Sequence, residues 1–167
     1  SYTDERAQKM LFPDEPMGEE KYILYADLSD MDIETSDFKS LDGKRVGVLL
    51  GTEPEIMLTE WENKNGIHTE HVNVNNNDDV EKKLANHEID CFVSLEESIW
   101  SEQGISSVTT IGKSGIYFAI NKERSDIKTK LDYAMCQLEQ DSPFFKADLY
   151  KKYFTLDYNQ SLTGGEK

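Results

Sequence analysis

The residues whose types and spacing offer chemistry are Gly51 and Thr52, which end an apolar run, Val46-Gly47-Val48-Leu49-Leu50, and open an acidic helical stretch. A strand that stops at a glycine and passes directly into a helix leaves backbone N–H groups beyond its carboxyl end, where open α/β sheets bind ligands. The Thr52 hydroxyl adds a side-chain donor there. Thr52 and Glu55 have the S/T-x-x-E spacing of a capping box, with Pro54 inside the first turn, where its missing N–H costs little. The chemistry on offer is reception of a carboxylate or other anion without a basic side chain; a plain helix cap is the competing reading.

Other constellations are thinner. His68 and His71 form a close pair, with His87 further on, but in a strand the pair points to opposite faces and no Asp, Glu or Cys pattern completes a metal set. Ser94, Ser98, Ser101, Ser106 and Ser107 lack a GxSxG context and a base. The segment Gly47 to Thr52 lacks GxGxxG and a P-loop ending, and Lys113-Ser114 after Gly112 reads as part of a turn between strands. Asp27, Asp30 and Asp32 lack the glycine and terminal glutamate of a calcium loop and read as solvated carboxylates. No metal or cofactor is expected, and no enzyme active site.

The elements that must position Thr52 follow from periodicity. Strands are expected at residues 22–26, 46–50, 68–74 and 89–93, with helices at 52–63, stopped by Gly66, and from the Asn75–Asp79 cluster through Val80 and Leu84. The helix at 52–63 places Met57 and Trp61 on one face, with Leu58 beside them. This β-α-β-α-β order within about fifty residues marks a parallel sheet with covering helices. Residues 94–107 read as loop or short helix anchored by Ile99 and Trp100, and 108–111 and 116–120 as strands across Gly112-Lys113-Ser114-Gly115. Residues 125–140 carry Ile127, Leu131, Met135 and Leu138 on one helical stripe, and an aromatic helix follows Pro143.

The chain has 167 residues, enough for one well-buried domain, and a net charge of −15 that argues against nucleic acid or an anionic bilayer as partner. Residues 1–42 hold twelve Asp/Glu against four Lys/Arg, more than half of that excess. Cys91 and Cys136 are expected to be buried free thiols. No stretch approaches the length of an apolar spanning helix.

The order of these features resembles the extracellular solute-binding proteins of the amino-acid-transport type, bacterial family 3, in their second lobe with its hinge segments. Thr3-Asp4-Glu5-Arg6 followed by Phe12-Pro13-Asp14-Glu15-Pro16-Met17 is similar to the passage from first lobe to hinge. Leu41-Asp42-Gly43-Lys44-Arg45-Val46-Gly47-Val48 with Gly51-Thr52 resembles the start of lobe two, Ile89-Asp90 a strand entry, and Lys152-Tyr153-Phe154 the close of the family's chain. The resemblance implies a three-layer α/β/α lobe with a mostly parallel sheet, the periplasmic-binding-protein type II lobe. Its divisions fall at 1–21 (end of lobe one and hinge), 22–120 (lobe two), 121–158 (return hinge and C-terminal helices) and 159–167 (tail or linker).

It further implies a non-catalytic lobe that binds a small polar or zwitterionic solute at Gly51, Thr52 and Glu53. The family's acid for the solute amino group falls five residues after Asp90, on Leu95, so Ser94 and Glu96 are the substitutes. A missing first lobe would complete the cleft. The expected setting is the extracytoplasmic sensory part of a membrane-anchored receptor; a component of an ABC transporter, or a homodimerising interaction module with a vestigial pocket, are the alternatives.

Overall fold

The computed structural model describes residues 2–29, 33–96 and 99–154, the side chains of Tyr150, Tyr153 and Phe154 excepted. In chain order the elements are helix α1 (Asp4–Ala7), strands β1 (Met10–Leu11) and β2 (Gly18–Ala26), a 3-10 turn (Phe38–Leu41), β3 (Arg45–Val48), α2 (Glu53–Asn65) and β4 (Glu70–Asn73). There follow α3 (Asn77–Ala85), β5 (Cys91–Leu95), α4 (Ile99–Glu102), β6 (Ser106–Ile116), β7 (Ile120–Asn121), α5 (Ser125–Asp141) and α6 (Phe145–Phe154). They fall into two compact units, Glu20–Ser114 on one hand and Ser1–Glu19 with Gly115–Lys167 on the other. The tail 159–167, with Asp30 and Asp32 of the weak calcium pattern, lies outside the described residues.

The Glu20–Ser114 unit is built on a sheet of order β4-β3-β5-β2-β6, in which β3 runs parallel to β4 and β5 while β2 runs antiparallel to β5. The β-α-β-α-β segment is therefore parallel, as its spacing predicts, and β2 makes the sheet mixed. Strand alternation sends Leu24, Ala26, Val46, Val48, Cys91 and Val93 to one face, where Leu58 and Trp61 of α2 cover them. Ile23, Tyr25, Val72 and Phe92 go to the other, against Val80 and Leu84 of α3 and Trp100 of α4. This is the expected three-layer α/β/α arrangement. The two cores are anchored by aromatic contacts, Phe38 edge-on to Trp61 at 5.2 Å and Phe92 edge-on to Trp100 at 4.6 Å between ring centroids.

One ion pair fastens the parallel core. The Asp90 carboxylate accepts from the Arg45 backbone N–H at 2.8 Å and from its guanidinium Nε at 3.0 Å and Nη2 at 2.6 Å, while Asp90 N–H donates to Arg45 O. These bonds hold the Asp90 carboxyl below its ordinary range, with the Arg45 guanidinium the larger cause.

In the other unit, Thr3 caps α1 by accepting from Arg6 N–H at 3.2 Å, and β1 pairs antiparallel with β7. Lys128 of α5 bridges Asp14 and Asp132 at 2.6 Å each. The stripe predicted on α5 forms, but none of its residues is fully buried, and Leu138 is 40% exposed.

Several expectations are corrected. Leu49 and Leu50 do not extend β3; they are 43% and 42% exposed in the turn, because Val48 already reaches the end of the ladder. Gly112-Lys113-Ser114-Gly115 is no turn: β6 runs through it. A Cβ on Gly112 would stand 2.6 Å from Met57 Sδ and one on Gly115 2.6 Å from Tyr117, so these glycines admit neighbouring side chains rather than reverse the chain. Met57 thus faces β6 and leaves the core face of α2 to Leu58 and Trp61. Ile99 is 41% exposed, leaving Trp100 as the sole anchor of α4, and Cys136 is exposed on α5 while Cys91 is buried and pushed up to about 12 by that burial.

A Cβ on Gly47 would meet Ile89 Cδ1 at 2.9 Å, Val74 Cγ1 at 3.0 Å and Phe92 Cβ at 3.3 Å, all in the packed core. Gly47→Ala is therefore expected to destabilise the fold by about 1–3 kcal/mol in urea unfolding; wild-type stability would show that the β3 face is loosely packed.

Candidate functional site

The turn between β3 and α2 is tied down by its own neighbours. Gly51 has φ +73, which only glycine adopts without strain. Leu50 N–H donates to Asn73 Oδ1 at 3.2 Å, and Gly51 N–H donates to Glu55 Oε2 at 2.6 Å. Thr52 is the N-cap of α2, with φ −122 and ψ 169, but its hydroxyl makes no bond to the helix amides and donates instead to Leu49 O at 2.5 Å. The predicted capping box is therefore half formed and displaced by one residue: Glu55 reaches back, but to Gly51. Among the described residues the amide N–H groups of Thr52 and Glu53 have no internal acceptor, and they stand at the positive end of a 13-residue helix.

Glu53 has a defined environment. Its Oε1 accepts from the hydroxyl of Ser114, a buried residue of β6, at 3.0 Å. Tyr22 of β2 donates to Glu20 Oε2 at 3.5 Å, and its phenol is pushed above its ordinary range by burial first, then by the charges of Glu20 and Glu53. Tyr22 thus registers both carboxylates, on the sheet face that α2 covers. Gly51, Thr52 and Glu53 are brought together, with Glu20, Tyr22 and Ser114 as additions that sequence reading missed. The signal was the two-residue step from Glu20 to Tyr22, which puts both on one strand face.

Ser94 and Glu96 are placed elsewhere. The register of β5 on β2 pairs Tyr22 with Leu95 and Ile23 with Ser94, without a bulge. Alternation then puts Leu95 on the α2 face and Ser94 and Glu96 on the opposite one, with Phe92. Glu96 accepts from Lys21 Nζ at 2.9 Å and lines an open depression of about 540 Å³ with Ile23, Tyr25 and Thr109. β5 is regular through Leu95, so among the described residues no bulge turns Glu96 toward Thr52.

A second feature escaped the sequence. Glu62, two turns after Glu55 on α2, is buried and accepts from Thr69 N–H at 3.2 Å and from the Thr69 hydroxyl. His71 of β4 stands between the two glutamates, Nε2 at 3.2 Å from Glu62 and Nδ1 at 3.5 Å from Glu55. Glu55 is held below the ordinary glutamate range, chiefly by Gly51 N–H and to a lesser degree by His71.

The family description "NMT1/THI5 like" matches residues 24–124, well over half of the chain. The chain belongs to the NMT1/THI5-like family. The histidine-binding periplasmic protein of Escherichia coli K12 is 27% identical over 173 aligned positions, which cover 94% of this chain and 63% of that protein. The chain thus spans less than two thirds of the curated relatives it matches. Among solved structures, the probable amino-acid ABC transporter extracellular-binding protein ytmK of Bacillus subtilis matches with a TM-score of 0.73 at 18% identity, over 91% of this chain and 67% of that one. An ancestral amino-acid-binding protein, a precursor of cyclohexadienyl dehydratase, matches with a TM-score of 0.67 at 21% identity, over 92% and 66%. This NMT1/THI5-like chain therefore has the type II periplasmic-binding-protein fold.

The cap of this NMT1/THI5-like turn has a defined pH dependence. A carboxyl with a depressed folded value stabilises above its unfolded value, and that stabilisation is lost as pH falls through the folded one. The Gly51 amide resonance is expected to shift on acidification with a midpoint below the ordinary glutamate value of 4.5. An NMR titration giving a midpoint at or above that value would remove Glu55 as the cap.

Proposed function

We propose that this lobe is part of the solute-binding component of an ABC transporter, working outside the cytoplasm on an amino acid. The observation that carries the reading is the pair of unclaimed amides, Thr52 and Glu53, at the N-terminus of α2 beside the carboxylates of Glu53 and Glu20. The amides and helix dipole suit an α-carboxylate. Glu53, held by Ser114, and Glu20 suit an ammonium or a cationic side chain of the same solute. A zwitterion satisfies both halves; a simple anion meets the two acids and is disfavoured.

The relatives, a histidine-binding periplasmic protein and a probable amino-acid ABC transporter extracellular-binding protein, support transport over sensory reception. A further solved relative is an ancestral arginine-binding protein bound to arginine, matching with a TM-score of 0.64 at 20% identity, which supports a cationic amino acid within the class. In this reading a second lobe of the parent chain closes over the turn, and the greater length of the relatives supports it. Ser94 and Glu96, on the opposite sheet face, leave the solute set, and Gly51 serves it through the shape of the turn.

The test is thermal stabilisation of the full-length protein by the twenty L-amino acids, since a solute that binds only the folded state raises its melting temperature. One or a few, cationic ones foremost, are expected to stabilise it, and Glu53→Gln is expected to weaken that solute about tenfold, ~1.4 kcal/mol. A panel without any stabilising member, or a Glu53→Gln variant that binds as the wild type does, would contradict the assignment.

A further inference from the structure

We propose that His71 is a positioning residue for the Gly51–Glu53 turn, the proton on its imidazole setting how firmly Glu55 holds the Gly51 amide. The relay is continuous: Thr69 to Glu62, Glu62 to His71 Nε2, His71 Nδ1 to Glu55 Oε1, and Glu55 Oε2 to Gly51 N–H. His71 touches no part of the turn and acts through Glu55. Its side chain is 18% exposed, and β4 holds it opposite Val46, on the face that α2 covers.

Donor and acceptor counting fixes the consequence of the proton. An ionised carboxylate only accepts, so a ring that faces one on each nitrogen donates to both only as imidazolium. The neutral ring has a single N–H. Glu62 keeps it, because its carboxylate is 5% exposed against 28% for Glu55, and a nitrogen lone pair facing the more buried of two carboxylates is the less screened and costlier repulsion. The lone pair of Nδ1 then faces Glu55 Oε1, which is repulsive, and Glu55 loses its outer anchor.

Among the described residues the charged groups in contact with the ring are Glu55 and Glu62, both from α2. On β4 and β3 the neighbouring charges, Glu70 and Arg45, are paired in register on the opposite sheet face, and Arg45 is bonded to Asp90. Protonation therefore tightens the turn and deprotonation loosens it. A solute carboxylate at the Thr52 and Glu53 amides adds negative charge near Glu55 and favours the protonated ring, so solute and proton bind cooperatively. That last step rests on the binding reading above; the coupling within the chain does not.

The experiment needs no solute. In the full-length protein, the Gly51 amide and the His71 ring are followed by NMR from pH 4 to 9. The expected result is a step in the Gly51 amide shift at the midpoint of the His71 ring, distinct from the more acid step of Glu55, with faster Gly51 hydrogen exchange above it after correction for intrinsic rates. His71→Gln is expected to lose the upper step and keep the acid one. In Glu55→Gln the ring is expected to titrate while Gly51 no longer follows, which keeps the coupling testable even should His71→Gln fail to fold. An upper step that is missing in the wild type, or that persists in either variant, overturns the proposal, whether or not any amino acid binds.

Discussion

The structure depends on how the chain turns from β3 into α2. Within four residues, Leu49 to Thr52, it must leave a buried strand and start a helix, and most of the polar groups on the way are consumed by neighbours. Asn73 takes the Leu50 amide, Glu55 takes that of Gly51, and the Thr52 hydroxyl is spent on Leu49 O. What these internal bonds leave over is two amides and a helix dipole. An unsatisfied N–H at a helix start is ordinary when water reaches it; here two of them are fixed in direction by a tethered turn.

The sheet supplies the rigidity behind that turn. β3 lies between β4 and β5; Asn73 of β4 holds the turn end through the Leu50 amide, and the Arg45–Asp90 pair fastens the opposite end of the strand. Strand parity divides the labour between faces. The face under α2 carries Tyr22, Leu95 and the turn, while the opposite face carries Glu96, Lys21 and the Trp100 core. No side-chain rotation carries a residue from one face to the other, so Glu96 points away from the face that Leu95 shares with α2.

Much of the fold was legible because local signals agreed. Gly51, Pro54 and the apolar spacing of α2 all point to a strand-to-helix junction, and Gly66 ends the helix in the left-handed conformation that glycine there suggests. The failures have physical causes. Gly112 and Gly115 read as turn residues because a glycine needed for close packing and one needed for chain reversal look the same in sequence; only the positions of Met57 and Tyr117 tell them apart. The Thr52–Glu55 spacing announced a capping box, but the hydroxyl found a nearer acceptor in Leu49 O. Glu62 and His71 went unread because their contact joins a helix to the strand after it. The available signal was the seven-residue spacing of Glu55 and Glu62, which aligns them on one helix face opposite a strand with a histidine where an aliphatic residue is expected.

The central claim is that the Thr52 and Glu53 amides receive a carboxylate. Calorimetry of the full-length protein with L-arginine and with agmatine, the same cation without its carboxylate, and likewise with L-histidine and histamine, tests it most directly. The account predicts that the amino acid of the preferred pair binds and that its decarboxylated amine is weaker by about a hundredfold, ~2.7 kcal/mol, the scale of a charge-assisted hydrogen bond. Equal affinity for acid and amine would contradict it and move the site away from the start of α2.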